Sequence, residues 1–145
     1  GFAPDGRLLY VTQRDAGLPD YRAVLLDLAT GERERIPLSQ VSEGSLASDG
    51  RTLVFVRFPF QGSHTKRYQG GTAQSIWRFD LGASEEARCL TCDHAGTDRA
   101  PMVAGDRVVF ISDRDGTKNL WSMTLDGGDL PQTARQLERL LRGTD

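Results

Sequence analysis

The chain has 145 residues, 38% of them apolar and 16 of them glycine, which suits one domain built on tight turns rather than on helices. Its formal net charge of −2 provides no global basic field for nucleic acid. No run approaches the ~20 consecutive apolar residues that a membrane-spanning helix needs.

The first repeat covers residues 2–38. Pro4-Asp5-Gly6 predicts a tight turn, since proline presets φ and glycine accepts a positive φ. Residues 8–12 read as a short apolar strand, and Ala16-Gly17-Leu18-Pro19-Asp20 breaks the chain. A second strand over 23–28 turns at Thr30-Gly31 into a charged outer strand over 34–38, which suits a sheet edge.

The second repeat covers residues 44–91. Asp49-Gly50 turns into a strand over 52–58. Its core, Leu53-Val54-Phe55-Val56, is too continuously apolar for a sheet buried on one face and predicts packing on both. An insertion over 59–72 follows, then strands over 75–81 and 87–90. The third repeat, 100–133, gives a strand over 107–112, a turn over 113–116, a strand over 119–125 and a turn at Asp126-Gly127-Gly128. In the tail, 134–145, Ala134, Leu137, Leu140 and Leu141 fall at helical spacing and predict a short terminal helix.

The copies share a spacing. Arg7 and Arg51 lie 44 residues apart, as do Trp77 and Trp121. A period of about 40–45 residues with several short strands per copy is that of a β-propeller blade. The expected architecture is all-β: a partial β-propeller of about three four-stranded antiparallel blades over 1–133, with a helical tail over 134–145. One blade cannot bury its own faces, so neighbours must lean on one another, and Trp77 and Trp121 are expected in the core between blades.

In such a meander successive turns alternate between the two ends of the sheet. The Asp5-Gly6, Thr30-Gly31, Asp49-Gly50 and Asp126-Gly127 turns should share one face of the disc. The insertion 59–72 and the turn 113–116 should lie on the other, with the links between blades near 41–44 and 93–98. The insertion is long for a hairpin connection, usually ~2–5 residues. It carries His64, Lys66, Arg67 and Tyr68 among Gly62, Gly70 and Gly71, a composition that suits an anion or a carboxylate. A solvated surface loop packed on a neighbouring blade is the competing reading.

Other motifs carry less. Cys89-Leu90-Thr91-Cys92-Asp93-His94 reads as two ordinary thiols at a strand end followed by a turn. Zinc would need a fourth ligand, and a redox pair of the thioredoxin kind should open a helix. Ser63-His64 lacks the Gly-x-Ser-x-Gly of a nucleophile elbow, and adjacent residues on an extended loop point apart. Residues 113–119 alternate oxygen side chains as a calcium loop does, but carry Lys118 and Thr124 where an EF-hand needs glycine and glutamate. They read as a hairpin turn. No cofactor or metal is expected.

The segment from Gln61 to Asp80, with Gly96 to Met102 and Ser112 to Met123, resembles the amino-terminal six-bladed propeller of the tricorn protease family. The Pro-Asp-Gly repeat is shared more widely, with TolB-like and prolyl oligopeptidase propellers. The resemblance covers about residues 1–132. It implies a parent chain with a further propeller, a PDZ domain and a serine peptidase that degrades peptides in the cytoplasm. It gives this chain no catalytic residue, and makes Lys66 and Arg67, beside His64, the candidates for holding the C-terminal carboxylate of a peptide. The implied partners are peptides, the remaining blades and the catalytic domains, with a homo-oligomer left open and neither nucleic acid nor membrane. The tail departs from the family, which continues into another blade after residue 133. The alternative is a TolB-like, protein-binding scaffold with no peptidase.

Overall fold

The structure, a computed structural model, describes residues 1–14, 21–59 and 73–130. Among the described residues ten strands form three antiparallel sheets. The first contains β1 (Leu8–Thr12), β2 (Arg22–Leu26) and β3 (Arg33–Arg35) in that order. The second runs β4 (Glu43–Leu46), β5 (Thr52–Val56), β6 (Ile76–Asp80) and β7 (Arg88–Cys89). The third pairs β8 (Asp98–Ala104) with β9 (Arg107–Ser112), and β9 with β10 (Asn119–Thr124). Each sheet is a simple up-and-down meander, the topology of a propeller blade.

The Asp-Gly turns repeat in detail. In the first, the Gly6 N–H donates to the Ala3 carbonyl at 2.9 Å and the Arg7 N–H to Asp5 Oδ1 at 3.0 Å. In the second, the Gly50 N–H donates to the Ala47 carbonyl at 3.0 Å and the Arg51 N–H to Asp49 Oδ1 at 2.8 Å. Gly6 and Gly50 take φ of 87° and 69°, where a side chain is costly. The third copy dispenses with the extra turn residues: Ala104 pairs directly with Arg107 across Gly105-Asp106.

Strand β5 explains how the sheets lean together. All five of its residues are buried. Leu53 and Phe55 join Leu9, Leu25, Ile36, Val41 and Phe79 in a cluster between the first and second sheets. Val54 and Val56 join Ile76, Val108, Phe110 and Met123 in a cluster between the second and third. The apolar run that broke strict alternation is thus a strand with a seam on each side. Trp77 packs against the first cluster and Trp121 against the second, both half-buried.

Two strands went unpredicted. Residues 43–46 and 98–104 are strands β4 and β8, which begin within the links expected near 41–44 and 93–98 and run on beyond them. Neither has an alternating apolar pattern; both are held by cross-sheet polar contacts. Glu43 accepts from the Ala100 N–H at 2.6 Å and pairs with Arg99 at 3.3 Å, while the Val103 N–H donates to Ser45 Oγ at 3.0 Å. The innermost strands of neighbouring blades are therefore tied side by side. In β8 the register shifts between Arg99 and Met102, around Pro101 and an Ala100 with φ of 52°. The expected tail helix over 134–145 lies outside the described residues.

Candidate carboxylate-binding rim

Antiparallel order puts the connection from β5 to β6 on one rim, together with the β9–β10 turn and the β7–β8 link. Of the expected site residues, His64, Lys66 and Arg67 lie outside the described residues, and the structure places only the base from which they spring. That base is built firmly. Gln74, buried at 4% exposure, donates Nε2 to the Phe58 carbonyl at 3.0 Å and so ties together the two ends of the insertion. The Gln74 carbonyl in turn accepts the Asp98 N–H at 2.8 Å, linking the same base to the third sheet.

Arg57 stands at this base. Its guanidinium stacks on the Trp77 ring at 3.6 Å from the centroid, and among the described residues no carboxylate pairs with it. An arginine held by a ring rather than by an acid keeps its fork of donors for an external anion. Sequence reasoning passed over Arg57 because it stands just before the insertion and belongs to no motif.

The next seam along the rim contains the same elements, neutralised. Arg114 lies 5.2 Å from the Trp121 ring and 5.5 Å from that of Phe110. It donates to both oxygens of Asp98, at 3.2 and 3.1 Å, and Nε to Ser112 Oγ at 2.9 Å. Asp98 is 1% exposed, so its carboxylate is committed to this partly buried guanidinium and neutralises it. Beside it, His94 Nε2 lies 2.9 Å from Asp113 Oδ1, which also accepts the Thr97 N–H at 2.9 Å. Burial raises the Asp113 carboxyl, but the Thr97 and His94 bonds outweigh it and leave the group below the ordinary carboxylate value. The 113–116 segment is a hairpin turn as expected, closed by the Gly116 N–H on the Asp113 carbonyl at 2.9 Å.

The cysteines are not the free thiols expected of them. Cys89 and Cys92 are disulfide-bonded, with Cα atoms 5.8 Å apart. The turn that follows β7 folds back tightly enough to bring the two side chains together, a geometry that a Cys-x-x-Cys spacing permits without requiring. His94 bonds Asp113 rather than joining the sulfurs.

The blades, their shared seams and their rim can now be set beside known proteins. The model of the tricorn protease N-terminal β-propeller domain matches residues 1–141. This chain belongs to that family. Tricorn protease homolog 1 of Streptomyces coelicolor is 33% identical over 136 residues, and the tricorn protease of Thermoplasma acidophilum 33% identical over 135. Each match takes in 90% of this chain but only 12% of the relative, so this tricorn-family chain spans about an eighth of the length of these relatives. The family match runs past residue 133, where the repeat pattern was expected to depart from it. Among solved structures, TolB of Acinetobacter baumannii superposes with a TM-score of 0.69 at 22% identity, over 90% of this chain and 30% of that one. An acylaminoacyl peptidase of Pyrococcus horikoshii does so at 0.54 and 13%, over 90% and 23%. At such identities these two share the propeller fold.

Proposed function

We propose that this tricorn-type propeller segment is a non-catalytic part of a cytoplasmic, peptide-degrading serine protease. Its blades wall the passage of peptides, and its rim anchors their C-terminal carboxylates. Lys66 and Arg67, with His64, supply one cationic side of that anchor, and Arg57 supplies a further cation at the base of the insertion. The observation that carries the reading is the contrast between two like seams: Arg114 is neutralised by a buried Asp98, whereas Arg57 stacks on Trp77 and has no acid partner among the described residues. Such a guanidinium, at the start of the insertion that carries the Lys-Arg pair, suits a carboxylate from elsewhere. Relatives at 33% identity that bear the tricorn name favour this reading over a TolB-like scaffold, for which the support is likeness of fold.

The test uses the 145-residue chain and matched peptides ending in a free carboxylate or in an amide, with binding followed by NMR. The free acid should bind about 10–100-fold more tightly than the amide, as charge-assisted hydrogen bonds of ~1.5–3 kcal/mol imply. Lys66→Ala/Arg67→Ala should remove most of that preference, and neither protein should hydrolyse the peptide. Equal binding of acid and amide would sink the anchoring role.

A further inference from the structure

The Cys89–Cys92 disulfide lies outside the carboxylate reading, yet it sits at a seam. Cys89 ends β7, where it pairs with Trp77, and Cys92 is exposed at the start of the link to β8. The bond closes a loop of only four residues, so it restrains this turn far more than it restrains the chain as a whole.

What the turn holds is specific. Thr91, 1% exposed, lies inside the ring, and its Oγ1 accepts the Ile76 N–H at 2.9 Å. A side-chain hydroxyl thus satisfies the first backbone donor of β6, at the edge of the insertion's base. The Leu90 N–H donates to the Ile76 carbonyl at 2.8 Å, and the His94 N–H to the Thr91 carbonyl at 3.0 Å. From there the chain runs on to His94 on Asp113, Thr97 on Asp113, and Asp98 on Arg114. There is no slack along this path: a Cβ on Gly96 would collide with Asp113 Oδ1 and stand 2.6 Å from His94 Nε2. A short ring with one exposed residue, Cys92, therefore clamps one end of the segment that stitches the second sheet to the third.

We propose that Cys89–Cys92 is a thiol–disulfide exchange site for small thiols, and that its state sets the stiffness of the seam between the second and third sheets. The thiolate of a small thiol attacks the sulfur of Cys92, the more exposed of the two residues, the S–S bond breaks, and Cys89 leaves as a thiolate that takes a proton from water. A second thiolate attacks the mixed disulfide at its outer sulfur, releasing the small-molecule disulfide and the Cys92 thiolate. Two small thiols are oxidised and one protein disulfide is reduced. An oxidised small-molecule disulfide such as that of glutathione reverses both steps. An exposed residue at one end, Cys92, places the bond with the labile class of disulfides rather than the structural one.

The experiment equilibrates the folded chain in reduced-to-oxidised glutathione mixtures, traps free thiols by alkylation and weighs the product. Amide exchange is followed residue by residue in both states. The mass should switch by two alkyl groups without denaturant. On reduction, exchange at Ile76, His94 and Asp98 should quicken by about tenfold, the order expected on releasing so short a loop. Leu9 and Leu25, in the other seam, should not change. Cys89→Ser/Cys92→Ser should exchange like the reduced protein and ignore the glutathione ratio. The wild-type titration alone decides the matter should that variant not fold. Two alkylated thiols at every ratio, a bond that yields only in denaturant, or reduction that leaves the amides unchanged would each overturn the proposal.

Discussion

Phe55→Ala is the sharpest perturbation of the packing. Phe55 is 0% exposed and its ring lies among Leu9, Leu25, Ile36, Val41, Leu53 and Phe79 from two sheets. Burying a phenylalanine removes roughly 150–250 Å² from water. At about 25 cal/mol per Å² that is about 4–6 kcal/mol. Measured truncations of this kind, cavity included, cost about 3–5 kcal/mol. Domains of this size are held by only ~5–15 kcal/mol, so the loss should be plain in urea unfolding followed by far-ultraviolet circular dichroism. The midpoint should fall sharply while the slope is nearly kept. A cost below about 1 kcal/mol would mean that the ring faces solvent, and that the first and second sheets do not share the seam described.

Other outcomes follow from the rim and the turns. Asp98→Ala leaves the Arg114 guanidinium without its carboxylate in a buried site, and should cost about 3–5 kcal/mol by urea unfolding. Gly96→Ala should cost at least as much as an ordinary overpacking, about 1–3 kcal/mol, because the new methyl meets Asp113 and His94. Gly50→Ala, at φ of 69°, should lower stability by about 1–2 kcal/mol, again read in urea. Asp113 has a folded value below its unfolded one, so its contribution is present above the unfolded value of about 3.9 and fades as pH falls through the folded one. Acid titration of Asp113→Asn should accordingly show a shallower loss of stability below about pH 4 than the wild type.

The residues whose burial is dictated by pattern were legible. Leu53 to Val56 announced a strand with two buried faces, and the Asp-Gly pairs placed the turns and so the two rims. The inner strands were not legible, because Glu43-Gly44-Ser45-Leu46 and Arg99-Ala100-Pro101 carry neither alternation nor β-branched runs. They are strands because they pair with β5 and β9 and are tied to each other through Glu43 and Ser45, which is tertiary information. The Asp98–Arg114 pair spans sixteen positions, with no local spacing to betray it. Composition suggested the cationic insertion, but Arg57 gained its place only through the ring beneath it. A Cys-x-x-Cys spacing is compatible with thiols, metal and disulfide alike, and only the turn after β7 chose between them.

The account rests on three sheets arranged side by side, with the middle one packed on both faces. Methyl-resolved NOE spectroscopy of the chain tests this directly. Leu25 should show contacts to the Phe55 and Phe79 rings, Met123 should show contacts to Val56 and Ile76, and Leu25 should show none to Met123. Contacts joining Leu25 to Met123 would fold the outer sheets onto each other as a sandwich or barrel and contradict the propeller arrangement.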